Sequence, residues 1–183
     1  MAVDKVFKPK SGVEVPEGPQ LGLLLNVIHV GVQKNTYQGL TNYKDQVLVT
    51  FELPEVTTDE GKPLCQSTRV SNLSGPKSTL TKIVKALNGG KKIEDGIDFE
   101  SLIGKPIQLT IGKTSGGNSK ISEFSPVMGS IAKSAPKLVN EPKLLLDVDN
   151  IGDKELESLP EWIRKVINER SSADSAGEDE VGF

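Results

Sequence analysis

The residue order predicts a mainly β fold: five strands, one helix between the third and the fourth, and an amphipathic helix near the C-terminus. Two observations carry that expectation. Eighteen Gly and eleven Pro are spread along 183 residues, which implies many short elements joined by turns. Apolar residues mostly alternate with polar ones, and helical spacing is sustained at only two places. At 36% hydrophobic residues the chain can bury one principal core while leaving some segments solvated.

Residues 1–19 contain Pro9, Pro16, Pro19, Gly12 and Gly18 and read as an extended N-terminal arm. A domain over 20–129 follows. Its first strand is LGLLLNVIHVGVQ, with Leu24, Ile28, Val30 and Val32 on one alternating face. KNTYQGLTNY, residues 34–43, reads as a polar loop carrying two tyrosines. In KDQVLVTFEL, Val47, Val49 and Phe51 alternate with Leu48, Thr50 and Glu52 to give the second strand, and LCQSTRVSNLS gives the third. Leu80, Ile83, Val84 and Leu87 then recur at helical spacing before the Gly89–Gly90 stop. In LIGKPIQLTIGK, Ile107, Leu109 and Ile111 point inward, and TSGGNS joins this fourth strand to KISEFSPVM as a hairpin. Phe51 and Phe124 belong to the core. This β-β-β-α-β-β order over about 110 residues is the layout of the OB-fold, a five-stranded Greek-key barrel.

Residues 130–152 read as a linker or docking segment, and 153–170 as the C-terminal helix. Ser158-Leu-Pro-Glu161 matches a capping box, and Leu159, Trp162, Ile163, Val166 and Ile167 form an apolar stripe. The stripe is expected to dock on the barrel or on a second subunit, so a homodimer is one option; a dedicated helix-in-groove partner is the other. Residues 171–183, SSADSAGEDEVGF, hold four acidic and no basic residues and are expected to be a disordered acidic tail.

Charge is distributed unevenly. Residues 1–128 hold 15 Lys and Arg against 13 Asp and Glu, so the net charge of -3 combines a slightly basic body with an acidic end. Several chemistries are disfavoured. One cysteine, Cys65, permits no internal disulfide and no paired-cysteine zinc site, and one histidine, His29, sits in an apolar run where a half-buried strand residue is expected. There is no GxxxxGK[ST] or GxGxxG. The acidic pairs in EDGIDFE and LDVDN have no basic or histidine partner on a strand, which argues against a metal-dependent nuclease. No catalytic residue, metal or cofactor is expected. The start MAVDKVFKPKSG lacks a signal-peptide core, and no window approaches the ~18 apolar residues of a membrane span, so a soluble protein of a reducing cytoplasm is expected.

The runs PEGPQLGLLLNVIHVGVQ, YKDQVLVTFELP, GKPLCQSTRVSNLSGPKSTLTKIVKALNG and LIGKPIQLTI, with a fifth strand ending near SPVMG, resemble bacteriophage single-stranded DNA-binding proteins with an OB-fold. The acidic tail closing on Phe is similar to the tails of such proteins, although Gly182 stands where the bacterial tails have Pro. The resemblance implies non-enzymatic, non-sequence-specific binding of single-stranded DNA in phage replication, recombination or repair, in the cytoplasm of the infected bacterial host. Such binding needs cations for phosphates and aromatic faces for bases. The groove of this fold lies over strands two and three, between the loops joining strands one to two and four to five. In this sequence those features carry Lys34, Tyr37, Tyr43, Lys44, Arg69, Lys113 and Lys120, with Lys62 and Lys77 near the edge. Glu178, Asp179, Glu180 and Phe183 form the tail that would compete with DNA and recruit replication or recombination proteins. The alternative is a small β-barrel adaptor or structural protein of a viral particle that binds protein.

Overall fold

In the computed structural model, which describes residues 15–171, six strands share one sheet. They are β1 (Gly18–Tyr37), β2 (Leu40–Thr57), β3 (Pro63–Ser71), β4 (Pro106–Lys113), β5 (Ser119–Ser125) and β6 (Lys143–Leu145). The hydrogen-bonded order is β3-β2-β1-β4-β5 with antiparallel neighbours, and β6 adds to β1 in parallel. The mainly β expectation therefore holds. The sheet curls far enough for Gln66 Nε2 on β3 to donate to the Ser119 carbonyl on β5 at 3.4 Å, although no ladder joins those strands.

Strand β1 serves two neighbours. Residues 18–23 pair with β4 and residues 23–37 with β2. The strand must bend between them, and the register slips between Leu24 and Asn26 and again between His29 and Gly31. Each slip inserts a residue and reverses which side chains face inward. The expectation that Leu24, Ile28, Val30 and Val32 share one face fails for that reason: Leu24 faces one apolar cluster, Ile28 and Val30 another.

The first cluster lies inside the curled sheet. Val47, Val49, Phe51, Leu53, Ile107, Leu109 and Ile111 contribute to it, as expected. Helix α1 (Thr79–Leu87) covers it with Leu80, Ile83, Val84 and Leu87, starting where the Ser78 hydroxyl accepts from Thr81 N at 3.2 Å. The short α2 (Phe99–Leu102) buries Leu102. Phe51 is fully buried with its ring centroid 6.0 Å from that of the half-buried Phe124. Val15 also packs here, so the N-terminal arm is in contact with the body by that point.

The second cluster lies on the opposite face of β1 and β2, and a C-terminal extension builds it. After α3 (Gly129–Ser134) the chain crosses the sheet, adds β6, makes a 3₁₀ turn at Val148–Asn150 and enters α4 (Asp153–Glu157) and α5 (Glu161–Asn168). Val148, Leu159, Ile163 and Ile167 pack on Ile28, Val30 and Leu48. Burying an Ile side chain stabilises by about 1.5–3 kcal/mol, so α5 is held to its own sheet. Gln33 Nε2 donates to the Val166 carbonyl at 3.0 Å, and Ser171 N donates to the Val32 carbonyl at 2.7 Å. Gly31, at φ 79°, lies beneath the end of α5, and a Cβ there would stand 2.7 Å from Arg170 Cδ.

The stretch 130–152 forms a cover with its own strand. Two expectations change. The single helix expected over 153–170 is two, because Pro160 has no N–H to continue α4 and becomes the residue preceding α5. The capping box does not form: Ser158 Oγ donates back to the Glu155 carbonyl at 2.6 Å, and α5 has no side-chain cap. The N-terminal arm over 1–14 and the tail with Glu178, Asp179, Glu180 and Phe183 lie outside the described residues.

Candidate nucleic-acid interface

The segment 34–43 is a ribbon of strand, where a loop was expected. β1 and β2 continue past the sheet as the pairs Lys34 with Tyr43, Asn35 with Asn42, Thr36 with Thr41 and Tyr37 with Leu40. A two-residue turn at Gln38 and Gly39 closes it, with φ of 49° and 78°, the left-handed pair that matches strand twist. β3 pairs with β2 only as far as Gln46, so among the described residues the ribbon beyond it has no third strand. Directly paired residues share a face, so Lys34 and Tyr43 stand on one side, and Tyr37 and Leu40 on the other with Lys44. Tyr37 is 75% exposed and Leu40 72%.

At the ribbon's base His29 and Asp45 make a clamp. His29 Nε2 and Asp45 Oδ1 are 2.7 Å apart, and Nδ1 accepts from Val148 N at 3.1 Å. Because Nδ1 accepts a backbone N–H, Nε2 carries the proton given to Asp45. His29 is the half-buried strand histidine expected, tying β1, β2 and the C-terminal extension together.

The expected cations fall into two groups. Lys34 and Lys44 lie in the ribbon. Lys62 follows the turn before β3, while Lys113 and Lys120 flank the Thr114–Asn118 turn of the β4–β5 hairpin. The Gln66–Ser119 contact sets that hairpin against β3, at the end away from the ribbon. Arg69 stands between the groups, opposite Leu48 on the outer face. Lys34, Lys44, Lys62, Arg69 and Lys120 are exposed, and none forms an ion pair with another described residue.

The outer face of β2 and β3 is only partly open. Glu52, on the polar side of an alternating strand, is fully buried. Its carboxylate accepts from Val139 N at 3.0 Å and from Asn140 N and Asn140 Nδ2 at 2.8 Å each, which seats the extension over this part of the sheet. Three donors around one carboxylate offset its desolvation. No sequence periodicity marks Glu52 as buried, because its partners lie 87 and 88 residues away.

Cys65 is paired across from Glu52. Cys65 is exposed as a residue, yet partial desolvation of its thiol, and then the adjacent Glu52 carboxylate, push that thiol above its ordinary value. The folded chain thus holds this proton to higher pH than the unfolded chain. The associated stability is present below the unfolded thiol's range and is lost as pH rises through the folded value. At mildly alkaline pH, iodoacetamide should alkylate Cys65 more slowly in the folded protein than in urea, and Glu52→Gln should narrow the gap. Equal rates would contradict this account.

The acidic pairs act locally: Asp98 Oδ1 accepts from Glu100 N at 3.0 Å and Asp147 Oδ1 from Asp149 N at 3.2 Å, both as helix caps. Among the described residues no three His, Cys, Asp or Glu side chains gather as a metal site, and no helix is long and apolar enough to cross a membrane. Trp162, assigned to the buried stripe by spacing, is instead 50% exposed. With α5 starting after Pro160, Ile163 and Ile167 occupy the centre of the buried face and Trp162 its edge. No protein-family model matches the chain and no curated protein matches it.

Proposed function

We propose that this protein binds single-stranded DNA without sequence specificity, on an OB-type Greek-key barrel, in phage DNA replication, recombination or repair. The observation that carries the reading is the disposition of the two groups: exposed cations, exposed Tyr37 and half-buried Tyr43 in the β1–β2 ribbon, exposed cations at the β4–β5 hairpin, and Arg69 between them on the outer face of β3. The strand order, with α1 between β3 and β4 and the β3–β5 approach, supports the barrel assignment.

Labelled oligo-dT should bind in preference to duplex DNA of the same length. With about three to five phosphates neutralised, the log–log salt slope should be roughly -2 to -3.5, from ~0.7 per contact on single strands. Equal affinity for duplex would refute the reading. Tyr37→Ala and Tyr43→Ala should each weaken binding by ~1–3 kcal/mol with little change in melting temperature, since both lie outside the cores. Normal binding by both variants would remove the ribbon from the interface.

The tail joins this reading through its starting point. Ser171, the last described residue before it, pairs with Val32 at the ribbon's base, two residues from Lys34. Removing residues 172–183 deletes four of 25 acidic residues and no basic one, taking the formal charge from -3 to +1. DNA affinity should rise at low salt, and the gain should shrink at physiological salt, where screening acts over ~8 Å. Unchanged affinity at low salt would leave the tail without a competing role.

One observation favours the second reading, a viral adaptor that binds protein: Tyr37 and Leu40 stand exposed side by side at the ribbon tip. Failure to shift oligo-dT at any salt concentration would select it.

A further inference from the structure

A groove of about 470 Å³ opens between α5 and β3. Leu48 forms its floor, Arg69 and Lys165 stand in its walls with Trp162, and Glu169 is the sole acid among the described residues lining it. We infer that this groove is a base-stacking subsite for single-stranded DNA, with Trp162 as the platform and Arg69 and Lys165 holding the flanking phosphates. The inference rests on the single-strand reading above and names a place where the C-terminal extension takes part in it.

Three observations converge. Trp162 is half exposed on a helix whose neighbouring Ile163 and Ile167 are anchored in the second core, so the ring is presented from a fixed base. A rigid aromatic face loses little freedom when a base stacks on it, and stacking tolerates any base. Arg69 already lies on the path between the ribbon and the hairpin, so the groove continues the same track. Finally, Ser67 and Thr68 in its wall add polar groups, so an apolar peptide fits the lining less well than a nucleotide with a π-face and an anionic backbone. The extension that covers Glu52 at one part of the sheet thereby supplies an aromatic at another.

Trp162 is the single tryptophan of the chain, so its fluorescence reports on this groove alone. The full-length protein is titrated with oligo-dT while Trp162 emission and the anisotropy of a labelled strand are both followed. Quenching should saturate at the same ratio as anisotropy, and bound DNA should shield the indole from acrylamide. Trp162→Ala should weaken binding roughly 5- to 150-fold, the ~1–3 kcal/mol of a stacked base. Trp162→Phe should recover part of that loss, and an abasic strand of equal length should bind wild type and Trp162→Ala alike. Arg69→Ala should lower the salt slope by about 0.7. Unquenched emission, with anisotropy showing DNA bound as tightly by Trp162→Ala as by wild type, would overturn the subsite and leave the single-strand reading intact. No anisotropy change with wild type at low salt would overturn both.

Discussion

Phe51→Ala should lower the stability of the protein by about 3–5 kcal/mol, the range for truncating a fully buried Phe. Phe51 has no exposed surface, projects from the central part of β2 into the first core and meets the tilted ring of Phe124. Its Cβ is also close to Gly22, where β1 crosses tightly over Leu109, so neighbours have little room to fill the space it leaves. Domains of this size hold ~5–15 kcal/mol in total. A loss on this scale should bring the melting temperature down by roughly 6–20 °C, at ~2–4 °C per kcal/mol. Thermal unfolding followed by circular dichroism checks it. A drop of a degree or two would mean that the core packs without this ring.

Glu52→Gln is the second large effect, and it works through the opposite face of the same strand. The carboxylate accepts from three N–H donors on Val139 and Asn140. An amide of the same shape keeps one acceptor and sets a donor against donors. Hydrogen bonds to a charged acceptor contribute ~1.5–3 kcal/mol each, and the partly exposed Asn140 can regain water, so a net loss of about 2–4 kcal/mol is expected. The distribution of the loss is diagnostic. Amide exchange at Val139, Asn140 and Val148 should accelerate well before that of Val49 and Leu109, because the extension loosens while the first core remains packed. Uniform acceleration across the sheet would show that the extension and the rest of the sheet open as one unit.

Much of the first core is legible in the sequence, because its strands obey a local period: Val47, Val49, Phe51 and Ile107, Leu109, Ile111 alternate, and α1 carries its stripe between Ser78 and Gly89. The second core is harder to read. LGLLLNVIHVGV is apolar at nearly every position, which is how a strand covered on both faces looks, but the cover is 120 residues away in sequence. Two register slips in β1 then break the alternation that would have sorted its residues by face. The ribbon reads as a loop in the sequence because Lys, Asn, Thr and Gln dominate it; with no core beneath, its strands need no apolar face, and only the closing Gln38–Gly39 turn marks them. Lys and Arg positions around the outer face follow from strand order alone. Trp162 does not, since its exposure depends on where Pro160 starts the helix.

The second core also sets an order of events during synthesis. Ile28, Val30 and Leu48 belong to the first two strands, while Val148, Leu159, Ile163 and Ile167 come last. At ~5–20 residues per second, the ribosome takes roughly 6–24 s to pass from Leu48 to Ile167. Throughout that interval the outer apolar stripe of a nascent β1–β2 hairpin has no cover from its own chain. A chaperone that recognises extended apolar strands therefore has a defined window on this protein, opened by Leu48 and closed by Ile167.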